Sequence, residues 1–83
     1  MQVLYFASIR EQFDIEGEQI ECTPDTANVQ ALIDILCEIH GEPWGKVLGD
    51  PNLLVSVNQE LASLDAPLSA SDEVAFFPPV TGG

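Results

Sequence analysis

The chain opens with short runs whose apolar and polar positions repeat every two residues. Residues 2–8 (QVLYFAS) are rich in aromatic and β-branched side chains and have the length of a strand. After the acidic stretch 9–17 (IREQFDIEG), residues 18–22 (EQIEC) alternate like an exposed strand, so the two runs are expected to pair as a β-hairpin across a wide loop. Thr23-Pro24-Asp25 breaks the alternation, and the period then lengthens. Val29, Leu32, Ile33, Leu36 and Ile39 recur at three-and-four spacing, while Gln30, Asp34 and Glu38 hold the opposite side, which predicts one amphipathic helix. Asn28 stands at its N-cap, where its side-chain oxygen accepts from the first free amides, and Gly41 suits the residue that ends it. Residues 42–48 (EPWGKVL) read as a short helical turn with Trp44 over the core edge. Asp50-Pro51-Asn52 is a turn, 53–57 (LLVSV) a strand, Asn58-Gln59 a tight reversal and 60–62 a short return strand. Ser69 to Asp72 turns the chain again into 73–77 (EVAFF), the last strand. Pro78-Pro79 ends its pairing, because neither proline can donate to a ladder.

This order predicts an α+β fold: a mixed sheet covered on one face by one main helix, the helix being the one long apolar stripe the chain offers. By analogy of architecture it matches the β-grasp, or ubiquitin-like, arrangement, with the first and last strands side by side in the middle of the sheet. At 83 residues the chain is expected to be a single domain over 1–83, with a flexible tail at 78–83. Polar positions sort the strand faces. Gln2 assigns Leu4, Phe6 and Ser8 to the outer side and Val3, Tyr5 and Ala7 to the inner. Glu73 assigns Ala75 and Phe77 outward and Val74 and Phe76 inward. Ser56 and Asn58 mark the outer side of the middle strand, leaving Val55 and Val57 inside. The face away from the helix therefore carries Leu4, Phe6 and Phe77, with Leu61 as a neighbour, and a grouping of this kind marks a protein interface.

Charge narrows the partners. Fourteen acidic residues stand against Arg10 and Lys46, for a formal charge of −12. Phosphate backbones and anionic lipid repel such a chain, so nucleic acid and membrane are not expected partners, and a protein with a basic rim is favoured. Acidity that serves only solubility accounts for the same numbers. Arg10 either meets a partner or neutralises Glu11, and Lys46 is equally open. With no basic segment ahead of an apolar stretch, the expected location is cytoplasmic. Cys22 and Cys37 are too few and too far apart for a zinc motif and are expected as buried reduced thiols. His40, the one histidine, sits at a helix end and reads as a solvated or dipole-favoured imidazole. The carboxylates are dispersed and no glycine-rich phosphate loop follows a strand, so no catalytic constellation or nucleotide site is expected in this chain.

The candidate chemistry lies at the C-terminus. At the average glycine frequency of ~7%, two terminal glycines arise by chance in about one chain in two hundred. Pro78-Pro79 holds the end away from the sheet, and Val80-Thr81-Gly82-Gly83 then narrows to bare backbone. Without Cβ, the last residues are suited to a channel barely wider than a backbone and deliver an unhindered carboxylate to another protein's site. A carboxylate is a poor electrophile, and adenylation by an ATP-using partner is the general way to activate it.

The final residues DEVAFFPPVTGG, with FASIRE at 6–11 and VNQ at 57–59, closely resemble the molybdopterin synthase small-subunit family. The resemblance implies a sulfur carrier of molybdenum cofactor biosynthesis. In that family the last glycine, here Gly83, is adenylated by an activating enzyme of the ubiquitin-activating type and converted to a thiocarboxylate with sulfur from a donor protein. The tail, here Val80, Thr81, Gly82 and Gly83, inserts into the large synthase subunit, and the sulfur passes to cyclic pyranopterin monophosphate. By matching positions, Phe6, Leu61 and Phe77 form the apolar contact with that subunit. The resemblance further implies a heterotetramer with the catalytic lysines on the large subunit, no cofactor bound by this chain, and ATP used by the activating enzyme. It gives no role to Cys22, Cys37, His40 or Trp44. Other readings are a sulfur carrier of thiazole synthesis or tRNA thiolation, a protein modifier joined to lysines through Gly83, and a noncatalytic ubiquitin-like interaction module.

Overall fold

The computed structural model describes residues 1–79. In chain order the elements are β1 (Gln2–Tyr5), α1 (Ala7–Phe13), β2 (Gly17–Gln19), a 3-10 turn (Pro24–Thr26), α2 (Val29–His40), α3 (Trp44–Leu48), β3 (Leu54–Val57), β4 (Glu60–Leu61) and β5 (Glu73–Phe77). The strands form one sheet in the order β2-β1-β5-β3-β4. β1 and β5 are parallel neighbours at its centre, and the flanking pairs are antiparallel. This is the α+β, β-grasp arrangement expected from the sequence.

Alternation decides which side chains build the core. Val3 and Tyr5 of β1, Val74 and Phe76 of β5 and Val55 of β3 are buried together with Val29, Leu32 and Leu36 of α2. The start of α2 is closed from two directions, as the four unpaired amides of a helix start require. Asn28 Oδ1 accepts from the Ala31 amide at 2.8 Å. The amides of Val29 and Gln30 donate to the carbonyls of Ala66 at 3.1 Å and Leu64 at 2.8 Å. The loop supplying those carbonyls is pinned by Leu68, which is buried and donates its own amide to Ala27 O at 2.8 Å. No periodicity announces Leu68, because a lone apolar residue among turns has none. Gly41 ends α2 at a φ of 72°, which glycine adopts without a Cβ clash.

The first strand stops earlier than its composition suggests. Ala7 and Ser8 belong to α1 and are exposed, so neither takes the strand position expected of it, and 9–17 is not a wide loop. At Ala7 the backbone turns to a φ of 53°. The single apolar pair Ile9 and Phe13, four residues apart, then packs one short helix against the core. Two apolar positions are too few to reveal a period of 3.6. β2 also ends at Gln19 rather than Cys22. Beyond it, Thr23 and Thr26 cap a 3-10 turn reciprocally, Thr23 Oγ1 accepting from the Asp25 amide at 3.1 Å and Thr26 Oγ1 from the Thr23 amide at 2.9 Å.

Ile39 departs from the expected helix stripe and is 57% exposed. At about 100° per residue it lies about 80° from Val29 around the axis, whereas His40 returns to within about 20°. His40 is accordingly not a solvated imidazole. Its Nε2 lies 2.9 Å from Glu18 Oε2, and its ring stacks on Trp44 at 3.7 Å between centroids. Trp44 also stacks on Phe13 at 3.6 Å, and Tyr5 meets both indole and phenyl edge-on at 5.1 and 5.5 Å. The Tyr5 hydroxyl donates to Glu18 Oε2 at 2.8 Å. Burial first, and then that hydrogen bond, push its phenol far above the usual range. These contacts tie the ends of β1, α1, β2, α2 and α3 into one aromatic junction on the helix side. Cys22 and Cys37 are free thiols, half-buried rather than buried, and desolvation pushes the Cys37 thiol up, with Asp34 and Glu42 adding to it.

Candidate functional site

On the opposite face of the sheet, the registers align the outward residues in rows. Leu4 of β1 lies beside Ala75 of β5, Ala75 beside Ser56 of β3, and Ser56 beside Leu61 of β4. One step along, Phe6 follows β1 and Phe77 ends β5, and their rings stack at 4.8 Å with 7° between planes. The small side chains in the middle of the row form a floor, with Ala75 4% and Ser56 7% exposed. Around it Phe6, Phe77, Leu61, Gln59 and Glu73 wall an open cavity of about 310 Å³. Phe6 is 37% and Leu61 78% exposed, so these apolar side chains face solvent. Alternation thus brings Phe6, Leu61 and Phe77 to one place, as expected.

Leu4 shares the face but not the cavity. It closes over Gly17, where a Cβ would stand 2.9 Å from Leu4 Cδ2 and 2.6 Å from Val3 O. The sequence reading used Ser56, Ala75 and Glu73 only to sort the faces and placed Gln59 in a reversal. Their share in the cavity was readable only as two small residues of outward parity between large ones.

The rim beside Glu73 is held by a hydrogen-bonded clamp. Asn58 and Gln59 take φ values of 52° and 70°, the left-handed turn that reverses β3 into β4 and brings Leu61 back beside Ser56. The Asn58 amide donates to Glu73 O at 2.8 Å, and the Glu73 amide donates to Asn58 Oδ1 at 3.0 Å. Asp72 accepts from Asn58 Nδ2 at 2.9 Å and from the Ser69 amide at 2.8 Å. The Asn58 bond and then the Ser69 bond hold the Asp72 carboxyl below the usual carboxylate range. Because the folded value is depressed, its contribution is present above the unfolded value of about 3.9 and is lost as pH falls through the folded one. A carboxyl carbon titration is expected to place Asp72 below the ordinary aspartate value, with Ser69 amide protection falling in parallel. Asn58→Ala should move it back toward that value.

Arg10, carried on α1, lies 3.9 Å from Glu16 rather than against Glu11, with both side chains exposed, an arrangement worth little to stability. Pro78 and Pro79 follow β5 directly and are half-buried. Val80, Thr81, Gly82 and Gly83, the expected carrier segment, lie outside the described residues, as does the tail called flexible at 78–83 from Val80 onward. Among the described residues no helix is long and apolar enough to cross a membrane.

The model of the ThiS family matches residues 3–83. The chain belongs to the ThiS family. This ThiS-family chain is 42% identical over 83 residues to the molybdopterin synthase sulfur carrier subunit of Escherichia coli, covering 100% of this chain and 99% of that protein. The resemblance read from the terminal residues and from VNQ therefore extends over the whole length. Among solved structures, SAMP1, the small archaeal modifier protein 1 of Haloferax volcanii, superposes with a TM-score of 0.79 at 32% identity, over 100% of this chain and 98% of that one. A chain from the complex of subunits 1 and 2 of the molybdopterin-converting factor from Helicobacter pylori gives 0.67 at 29% identity, over 99% and 96%.

Proposed function

We propose that this chain is the small, sulfur-carrying subunit of a molybdopterin synthase, a β-grasp domain over 1–83 with residues 78–83 as its working tail. The observation that carries the reading is the placement of the apolar cavity: β5 supplies Ala75 and Phe77 to its floor and wall, and in the sequence that strand is followed directly by Pro78-Pro79 and then the diglycine end. Docking at the cavity would fix where the tail departs. Four residues beyond Pro79 reach at most about 14 Å, enough to enter a neighbouring active site from that point. The partner that fits is the large synthase subunit, in a heterotetramer of two small and two large chains. The H. pylori complex is named for this kind of pairing of subunits 1 and 2.

The chemistry assigned to this chain is that of its terminal carboxylate. An activating enzyme of the ubiquitin-activating type joins Gly83 to the adenylyl group of ATP with release of pyrophosphate. Sulfide-level sulfur supplied by a donor protein displaces AMP and leaves a thiocarboxylate, whose sulfur is transferred to cyclic pyranopterin monophosphate in the large subunit while water restores the Gly83 carboxylate. The location is the cytoplasm. No cofactor is assigned to this chain, and the proton-transferring groups belong to the large subunit. Likeness to an archaeal modifier protein favours a second reading, conjugation of Gly83 to lysines, which mass spectrometry separates by yielding branched peptides in place of thiocarboxylate.

The docking part is tested with Phe77→Ala. Its side chain packs on Phe6 outside the core, so the free protein should keep its stability while affinity for the large subunit falls by ~1–3 kcal/mol. A large drop in thermal stability with unchanged binding, seen by calorimetry, would place Phe77 among the core residues and remove it from the interface.

A further inference from the structure

We propose that the cavity beside β5 receives a single arginine side chain of the large subunit, its aliphatic stem over Ala75 and its guanidinium on the Glu73 carboxylate. The inference rests on the carrier reading above and names what that reading leaves open, the chemistry of the occupant.

The cavity is apolar at one end and polar at the other. Phe6 and Phe77 close the first end, Leu61 flanks the middle row beside Ser56, and Glu73 and Gln59 close the second end. Glu73 and Ala75 are two residues apart on one strand, hence about 6.6 Å along the sheet, which a side chain of three methylenes and a guanidinium spans. A purely apolar knob would strip water from the Glu73 carboxylate and leave it without a partner, an expensive outcome. Among the described residues the side-chain pairs of opposite potential charge are Arg10 with Glu16 and the His40 ring with Glu18, and neither involves Glu73. The clamp of Asn58 and Asp72 engages the Glu73 backbone; Glu73 is part of the cavity lining, and among the described residues its carboxylate takes part in no side-chain hydrogen bond.

A cation with a long apolar stem suits both ends at once. Arginine suits them better than lysine, because its planar fork meets a carboxylate in two parallel hydrogen bonds and is more weakly hydrated. A second copy of this chain is a poor occupant. Its two cations, Arg10 and Lys46, ride on α1 and α3, and a charge of −12 on each copy opposes association.

The test uses the full-length carrier and the large synthase subunit of the same organism, comparing wild type, Glu73→Gln and Phe77→Ala. Glu73→Gln is expected to weaken binding about tenfold, or ~1.4 kcal/mol, and to flatten its salt dependence without moving the melting temperature. Wild-type carrier should also protect one large-subunit arginine from phenylglyoxal, and Glu73→Gln should not. Unchanged affinity for Glu73→Gln beside a clear loss for Phe77→Ala would overturn the arginine while keeping the docking face. Absence of arginine protection by bound wild type would overturn it too. A change in the carrier's own sedimentation on Glu73→Gln would point to a second copy and count against it. If wild type fails to bind the large subunit at all, the carrier reading falls and this inference with it.

Discussion

Removal of Gly82 and Gly83 will abolish sulfur transfer while the rest of the molecule folds unchanged. The expectation follows from a division of labour within the chain. Among the described residues the core runs from Met1 at one end of the buried set to Phe76 at the other, so the domain is expected to fold without Gly82 and Gly83. The carboxylate, by contrast, is the one group here assigned to chemistry. A new terminus at Thr81 would bring a branched side chain to a channel suited to bare backbone and stop two residues, ~7 Å, short of the reacting atoms, where even 1 Å of misplacement is costly. The measurement is intact mass after incubation with activating enzyme, ATP and sulfur donor, followed by conversion of cyclic pyranopterin monophosphate with the large subunit. Wild type should exchange one oxygen for one sulfur at Gly83, and the truncated chain should show neither exchange nor product. Product from the truncated chain would end the carrier reading.

Phe76→Ala is expected to be the most damaging single substitution in the sheet, lowering stability by ~3–5 kcal/mol. Phe76 is fully buried in the central strand, pairs with Tyr5 across the parallel ladder and stacks on its ring at 6.0 Å. Truncation would open a cavity under α2 in a domain of a size that has little stability to spare, out of the ~5–15 kcal/mol usual for native proteins. Chemical denaturation should show a lower midpoint at an unchanged slope. A loss below ~1 kcal/mol would mean that the helix settles into the void. Phe77, one residue on, should behave in the opposite way, keeping stability and losing affinity. Two adjacent phenylalanines with opposite consequences are what a strand with one covered and one docking face must produce.

How far the sequence led differs from element to element, for identifiable reasons. α2 was legible because four buried positions, an N-cap asparagine and a terminal glycine all agree. The outer apolar face was legible because alternation over β1 and β5 leaves Phe6 and Phe77 no inner position, and Asn58-Gln59 returns Leu61 to their side. α1 was not legible: seven residues with one apolar pair carry less periodic signal than the strand-like run that precedes them. His40 was misjudged because its surroundings, Glu18 and Trp44, come from other elements. Glu73 does face outward as its polarity predicts, but that the hairpin and β4 make it part of a cavity lining is again set by other elements.

The sequence by itself determined the main helix and the inner and outer faces of the central strands, which depend on local periodicity, and the family, which a contiguous terminal motif carries; the β-grasp order followed only by analogy of architecture. Only the tertiary structure decided that Ser56 and Ala75 sink to a floor between aromatic walls, that Glu73 stands at its polar end, and that His40 closes an aromatic junction on the far side. Those are meetings of residues distant in the chain, set by strand register and helix packing, and no local pattern encodes the distance between them.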